Sequence, residues 1–120
     1  MVTDTSTKPR TLIVEDDQTV ARSLQVILRE LGHETRLAAN VKDGMSLLSW
    51  SPEWIILDMN LPDGDGLDLL ETVRSRGIDA KVALTSGCSD PEPLRRAESL
   101  HVDALFPKPI NFGAFMRWLG

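Results

Sequence analysis

Short runs of consecutive apolar residues alternate along the chain with stretches in which apolar residues recur every three or four positions. The runs at residues 11–14, 54–57, 81–84 and 104–106 stop at a polar residue or a proline, and a more polar run covers residues 34–38. A run without polar alternation is typical of a strand covered on both faces, which favours a parallel sheet over an antiparallel one. The pattern therefore predicts five strands.

Helical spacing fills the segments between these runs. Apolar positions recur in this way over residues 20–31, 41–48, 67–73 and 112–119, and residues 91–100 begin with a proline, which is favoured in the first turn of a helix. Asn40 and Asn111 are the predicted N-caps of the second and fifth helices. Gly32 and Gly77 are the predicted stops of the first and third helices.

Strand and helix alternate five times, which predicts a single doubly wound (βα)5 domain of the α/β class. Right-handed crossovers then place helices on both faces of a five-stranded parallel sheet. The polar second strand is predicted at one edge. Pro107 ends the fifth strand and places it at the other edge, because proline cannot donate to a sheet ladder. Residues 1–9 form a polar lead that we expect to be flexible, and residues 10–120 form the domain.

Composition and charge narrow the classes of function. The 120 residues are 42% hydrophobic and 26% charged, which is typical of one soluble globular domain, and the net charge of -5 argues against direct nucleic-acid binding. Cys88 is the single cysteine, which excludes an intrachain disulfide and favours a small loop residue over a redox thiol. No apolar run has the length of a membrane span or the form of a signal peptide, so we expect a cytoplasmic protein without membrane contact.

Polar side chains follow the predicted strands at the points where they end. Glu15 and Asp16 follow the first strand, Asp58 the third, Thr85 the fourth and Lys108 the fifth. Because the carboxyl ends of parallel strands open on the same side of a sheet, we expect these five side chains to converge.

Such a convergence has a defined chemistry. Carboxylates within about 4 Å of each other repel by several kcal/mol, so a cation must offset them, either Lys108 or a hard divalent ion such as Mg²⁺. An ionised carboxylate needs no base before it attacks phosphorus. The set therefore favours a site that places a phosphoryl group on Asp58.

Four segments carry a resemblance to a known family. They are LIVEDD at residues 12–17, IILDMNLPDGDG at 55–66, LTSG at 84–87 and PKP at 107–109. In this order and spacing they resemble the receiver domain of two-component response regulators. The resemblance implies a flavodoxin-like fold with the strand order 2-1-3-4-5. The resemblance implies that Asp58 accepts a phosphoryl group from a phosphohistidine of a histidine kinase or histidine phosphotransfer protein. It also implies a downstream effector domain or protein as partner, and a monomer or weak dimer.

The resemblance also implies roles for individual residues. Asp16 and Asp58 would ligate Mg²⁺ directly, Glu15 would help through water, and Asn60 would contribute its backbone carbonyl. The backbones of Asn60 and Ser86 would contact the phosphoryl group.

The resemblance further implies how such a site switches. Lys108 would pair with a phosphoryl oxygen, and the peptide bond between Lys108 and Pro109 would be cis. Thr85 would turn inward to hydrogen-bond the phosphoryl group. The face formed by the fourth helix, fifth strand and fifth helix would then change for partner binding. Leu105 stands at a switch position that is usually aromatic in the family and is coupled to the threonine, and leucine has no ring whose rotamer could report the change. A second difference from the family is that the predicted fifth helix is short.

Two other classes of function use a similar architecture. A Mg²⁺-dependent phosphohydrolase of the haloacid-dehalogenase type needs a second acid two residues after the nucleophile, where this chain has Asn60. A flavodoxin-like binder of flavin or nucleotide needs a phosphate loop after the first strand, where Glu15, Asp16 and Asp17 would repel a phosphate.

Several polar residues have simpler interpretations. Asp17 is a predicted N-cap of the first helix rather than a metal ligand. Asp63 and Asp65 are predicted turn residues, because Pro62 and Asp63 fall where a calcium loop needs a ligand and a glycine.

Other residues are assigned to solvent or to packing. His33 and His101 follow predicted helix ends without metal-ligand spacing, and we expect both in solvent. Arg95 and Arg96 are expected on a solvated face. Trp118 belongs either to the core or to a partner surface.

Overall fold

The computed structural model of the chain describes residues 8–87 and 90–120. The strands are β1 (Arg10–Val14), β2 (Glu34–Ala38), β3 (Trp54–Asp58), β4 (Lys81–Ser86) and β5 (Ala104–Pro107). The helices are α1 (Gln18–Glu30), α2 (Val41–Ser46, followed by a 3-10 turn at Leu47–Trp50), α3 (Gly66–Ser75), α4 (Pro91–Ser99) and α5 (Phe112–Leu119). A small hairpin pairs Asn60–Leu61 with Gly64–Asp65 outside the main sheet. Residues 1–7 of the expected flexible lead lie outside the described residues, as does Cys88.

The five main strands form one parallel sheet. Their order is β2-β1-β3-β4-β5, which confirms the predicted fold class, strand order and edges. Register brings Asp58 opposite Thr85 and Ser86 opposite Pro107. All carboxyl ends therefore meet at one edge of the sheet.

The sheet is covered on both faces, as continuous apolar strands require. On one face Ile13 and Ile56 pack with residues of α1 and α5 such as Leu24 and Phe115, all between 0% and 1% exposed. On the other face the alternate strand residues pack with α2, α3 and α4. Both sides of each central strand are thus removed from water.

Side-chain caps define where the helices begin. Asp17 accepts a hydrogen bond from Thr19 N at 2.9 Å, which confirms it as the N-cap of α1. Asn40 and Asn111 cap α2 and α5 as predicted. Each of these oxygens satisfies an amide that has no partner inside its helix.

The expectation that His33 lies in solvent is wrong. Its Nδ1 lies 2.7 Å from Thr11 Oγ1, and the side chain of Thr11 is fully buried. The imidazole also meets Trp54 edge-on, with ring centroids 6.0 Å apart. Burial lowers the pKa of His33, although the charge of Glu53 opposes this shift. His101 is exposed as expected.

Contacts between helices and strands show where Arg96 and Trp118 lie. Arg96 was expected in solvent, but its guanidinium lies 3.0 Å from Asp68 and 3.4 Å from Glu71, so it joins α4 to α3. Trp118 is partly buried and packs against the core, with its ring 5.1 Å from Trp54 and 5.9 Å from Phe106 between centroids. Arg95 is exposed as expected.

Within residues 8–87 and 90–120, no helix is both long enough and apolar enough to pass through a lipid bilayer.

Candidate functional site

Three carboxylates gather at the carboxyl edge of the sheet. Glu15 follows β1 and is 4% exposed, Asp58 ends β3 and is 5% exposed, and Asp16 is exposed. One oxygen from each lies within 4.8 Å of the others. The expected convergence of these acids is therefore present.

Lys108 completes the cluster from the end of β5. Its Nζ lies 2.9 Å from Glu15 Oε1 and donates to Asp58 Oδ2 at 3.1 Å. Its backbone N–H donates to Ser86 O at 2.9 Å, which extends the sheet register by one residue. The peptide bond from Lys108 to Pro109 is cis, as expected from the resemblance. One ammonium group thus faces two buried carboxylates.

Burial dominates the electrostatics of Glu15. Loss of water raises the pKa of Glu15 from 4.5 to about 7, against Lys108 and the Asp17 backbone N–H, which lower it; the nearby Asp58 raises it further. Burial disfavours the charged form of Lys108, but its contacts with Glu15 and Asp58 outweigh that effect and raise the pKa of the ammonium group. Burial thus favours the neutral form of Glu15, whereas the neighbouring carboxylates keep Lys108 charged.

The donor set fits a hard divalent cation. Three carboxylates supply oxygen atoms within reach of one ion, which is the ligand chemistry that Mg²⁺ prefers. Glu15 Oε1 is buried, and within residues 8–87 and 90–120 it accepts no aligned hydrogen bond, although Lys108 Nζ lies 2.9 Å away. An acceptor of this kind has capacity left for a cation or an ordered water.

The remaining predicted site residues lie around Asp58. Thr85 is 2% exposed and lies opposite Asp58 on the neighbouring strand. The backbone N–H of Asn60 donates to Asp58 Oδ1 at 3.2 Å, and the Asn60 side chain is exposed. Ser86 is buried, and its Oγ lies 3.6 Å from Met59 Sδ. The structure thus brings these positions together around one carboxylate.

Leu105 lies apart from this cluster. It is paired with Leu84 in the register of β4 and β5, so its side chain lies on the face covered by α2, α3 and α4, opposite to that of Thr85. It is 40% exposed on the edge strand. The side chain at this position therefore belongs to the surface of the domain.

Sequence reasoning missed the role of Gly66. A methyl group at this position would collide with the carbonyl oxygen of Asp58 and lie 3.2 Å from Cα of Met59. The Gly66 N–H also donates to Met59 O at 2.8 Å. Only glycine lets α3 begin this close to the backbone of Asp58. A signal was present, since glycine is a poor helix former in a helical first turn.

Sequence reasoning also assigned Asp63 only to a turn. Its Oδ1 accepts from Val41 N at 2.7 Å and its Oδ2 accepts from Lys42 N at 3.0 Å. These amides lower the pKa of Asp63. No local pattern indicates this contact, because the partners are more than twenty positions away.

Comparisons with known proteins show the family of the chain. Residues 11–119 match the family described as the response regulator receiver domain. The response regulator protein PilR of Pseudomonas aeruginosa is 30% identical over 107 residues, which are 88% of this chain and 24% of PilR. The regulator of RpoS of Escherichia coli is 35% identical over 101 residues, which are 83% of this chain and 30% of that protein. The chain thus spans less than a third of the length of these two curated relatives.

Solved structures show the same architecture. A CheY-like response regulator receiver domain protein from Methanospirillum hungatei superposes with a TM-score of 0.89 at 26% identity, covering 94% of this chain and 91% of that chain. The N-terminal domain of an uncharacterized protein from Wolinella succinogenes gives a TM-score of 0.87 at 30% identity, covering 92% of this chain and 90% of that chain. Because the family match covers nearly every residue of the folded chain, we conclude that this protein belongs to the receiver-domain family of two-component response regulators, which are signalling domains.

Proposed function

We propose that Asp58 is the phosphoacceptor of this receiver domain and that it takes a phosphoryl group from a phosphohistidine of a histidine kinase or histidine phosphotransfer protein. The observation that carries the proposal is the contact of Lys108 Nζ with Asp58 Oδ2 at 3.1 Å and with Glu15 Oε1 at 2.9 Å, beside a third carboxylate. Two buried carboxyl groups that share one ammonium group have little value for stability. They are well suited to a site that must hold a cation and a phosphoryl group together.

The chemical step needs few groups. An oxygen of the Asp58 carboxylate attacks phosphorus, the P–O bond forms as the P–N bond to the donor imidazole breaks, and the imidazole takes the electron pair and a proton. The carboxylate is already the nucleophile, so no general base is required. The Asn60 N–H, which donates to Asp58 Oδ1 at 3.2 Å, holds one oxygen of the carboxylate in place.

Asp16 and Asp58 would hold Mg²⁺ directly, with Glu15 acting through water and Asn60 through its backbone carbonyl. The ion would neutralise the phosphoryl oxygens as charge shifts during transfer. Lys108 would exchange its contact with Asp58 for one with a phosphoryl oxygen. The backbones of Asn60 and Ser86 would donate to the remaining oxygens.

The readout begins at Thr85. Phosphorylation adds roughly -1.5 to -2 charges to the pocket, and each new charge-assisted hydrogen bond favours the state in which Thr85 turns inward. Turning a mostly inactive population into a mostly active one takes about 5 kcal/mol, which several such bonds supply. We propose that the face formed by α4, β5 and α5, on which Leu105 is exposed, then changes for an effector domain or protein.

The test is phosphorylation of the purified chain by acetyl phosphate with Mg²⁺. We expect mass spectrometry to show one added phosphoryl group, lost in Asp58→Asn and retained in Asp79→Asn, which makes the same chemical change at an exposed loop acid. Chelation of Mg²⁺ should abolish the modification in the unaltered chain.

Two results would contradict the proposed phosphoacceptor role of Asp58. An unmodified Asp58 in the presence of acetyl phosphate and Mg²⁺, with Asp58→Asn behaving identically, would refute the proposal. Steady turnover of a small phosphate ester would instead favour the phosphohydrolase class.

A further inference from the structure

Asp63 connects the loop after Asp58 to a different helix. It lies in the turn of the hairpin that pairs Asn60–Leu61 with Gly64–Asp65. Its two carboxylate oxygens accept from consecutive backbone amides at the start of α2, from Val41 at 2.7 Å and from Lys42 at 3.0 Å. The hairpin is thereby tied to the first turn of α2.

The contact is a specific one. The first amides of a helix have no partner inside it, and the helix dipole favours a negative charge at this end. A carboxylate that accepts from two such amides is held in a defined orientation, since both of its oxygens are used. Asp63 therefore fixes the position of its turn even though its side chain is exposed.

The hairpin carries this constraint to the site. Asn60 pairs with Asp65 and Leu61 with Gly64, and Leu61 is 9% exposed in the core beside Val41. At its near end the hairpin begins with Asn60, whose N–H donates to Asp58 Oδ1 at 3.2 Å. Movement of the turn away from α2 would therefore displace the backbone next to Asp58.

We propose that Asp63 is a positioning residue for the site: by tying the hairpin to α2, it holds the backbone of Asn60 beside Asp58 and so sets the affinity of the cluster for a divalent cation. The inference rests on the proposed function, because it assigns Asp63 a role in the same Mg²⁺ site. Asp63 touches neither the cation nor the phosphoryl group and acts only through Asn60.

If Asp63 served only to cap α2, other changes at the same helix end would have the same effect. Asn40 also caps α2, since its Oδ1 accepts from Asp43 N at 2.7 Å, but it belongs to the helix end and not to the hairpin. Asn40→Ala thus weakens the same helix terminus and leaves the Asp63 contact in place. Asp43→Asn removes a negative charge from the same terminus and serves as the charge control.

The experiment is titration calorimetry of the full chain with Mg²⁺. We expect Asp63→Ala to weaken Mg²⁺ binding about tenfold, the low end of the range for groups that orient metal ligands. Asp63→Asn keeps one acceptor oxygen and should fall between Asp63→Ala and the unaltered chain. Asn40→Ala and Asp43→Asn should bind Mg²⁺ within about twofold of the unaltered chain, a change too small for a lost orienting group.

A second readout does not depend on the cation. Hydrogen exchange measured by NMR on the metal-free chain should show faster exchange of the Asn60 amide in Asp63→Ala than in Asn40→Ala. Equal Mg²⁺ affinity and equal Asn60 protection in Asp63→Ala and the unaltered chain would overturn the inference. A loss of affinity as large in Asn40→Ala would also overturn it, because capping alone would then explain the effect.

The two proposals fail in different ways. If the unaltered chain bound no Mg²⁺, the proposed function would be refuted. The exchange of the Asn60 amide would still decide whether Asp63 holds the hairpin, with unchanged protection counting against it.

Discussion

Charged side chains at the two ends of the sheet differ in how well they are paired. At the amino end, the guanidinium of Arg74 donates to the carbonyl oxygens of Ala80 at 2.9 Å, Leu100 at 3.1 Å and His101 at 2.8 Å, and to Asp103 at 3.0 Å. At the carboxyl end, buried carboxylates and one ammonium group face each other, and an acceptor of Glu15 lacks an aligned hydrogen bond.

This difference in pairing suits the amino end to stability and the carboxyl end to function. Backbone carbonyls and the Asp103 carboxylate accept from the Arg74 guanidinium at the amino end, so that charge is well paired and contributes to the stability of the fold. Burial raises the pKa of Glu15 at the carboxyl end, and replacing a buried charged cluster with apolar side chains of similar volume often leaves a fold as stable or more stable. A charged cluster that is costly to fold is a candidate for binding.

The largest effect is expected at the carboxyl end, from Gly66→Ala. The new methyl group would collide with the carbonyl oxygen of Asp58, so the backbone of one of the two must move. We expect a loss of about 3 kcal/mol in the free energy of unfolding, at the upper end for overpacking. Phosphorylation by acetyl phosphate should slow by about a hundredfold, because a misplacement of roughly 1 Å can cost that much. Urea unfolding and mass spectrometry measure the two effects.

Gly64→Ala is the matched control for this prediction. A methyl group there would lie 3.7 Å from Val41 Cγ2, an ordinary contact, so stability should change by less than about 1 kcal/mol. Equal losses of stability in the two variants would show that close approach to Asp58 is not the constraint.

The second effect is expected at the amino end, from Arg74→Met. Methionine keeps the apolar stem but removes the donors to three backbone carbonyls. We expect a loss of about 2 kcal/mol in the free energy of unfolding, because partly buried acceptors of a charged donor are left unpaired. The Mg²⁺ affinity of the folded variant should stay unchanged. Arg95→Met, on an exposed side chain, is the control and should be nearly neutral; a loss of stability of equal size there would contradict the prediction.

The smallest effect is expected from His33, also at the amino end of the sheet, where it makes the free energy of unfolding depend on pH. Burial lowers its pKa, so the folded state binds this proton more weakly than the unfolded chain. The stability is therefore fully present above the ordinary pKa of about 6.5 and is lost as the pH falls below it, through the lowered pKa of the folded state. His33→Gln should cost about 1 kcal/mol at neutral pH, because the contact with Thr11 Oγ1 is replaced by a poorer one.

The measurement is urea unfolding from about pH 7.5 to about pH 5.5, a range that spans the ordinary imidazole pKa. The difference in the free energy of unfolding between the unaltered chain and His33→Gln should shrink as the pH falls. Groups that titrate alike in both proteins cancel in this difference. A difference that stayed constant over the range would contradict the prediction.

Much of the fold followed from local pattern. Continuous apolar runs that stop at a polar residue specified strands buried on both faces, and caps such as Asp17 and Asn40 specified helix starts within the reach of their own side chains. The convergence of Glu15, Asp58 and Lys108 followed from one rule of topology, that the carboxyl ends of parallel strands meet at one edge.

Other features depended on partners distant in sequence. Asp63 meets α2, Arg96 meets α3, and His33 meets Thr11 and Trp54, and none of these pairs has a signature in either segment alone. Gly66 belongs to the same group, because its need for glycine arises from the backbone of Asp58 passing beside it.

Periodicity and short motifs were enough to predict which segments pair into a sheet, which side chains end its strands and which family the chain resembles, because these signals lie within single segments. How close the acids lie to Lys108, which charges are satisfied by backbone carbonyls and which turn is tied to which helix emerged only from the folded arrangement. Those outcomes depend on the crossing of elements in space, where a shift of about 1 Å separates a hydrogen bond from none.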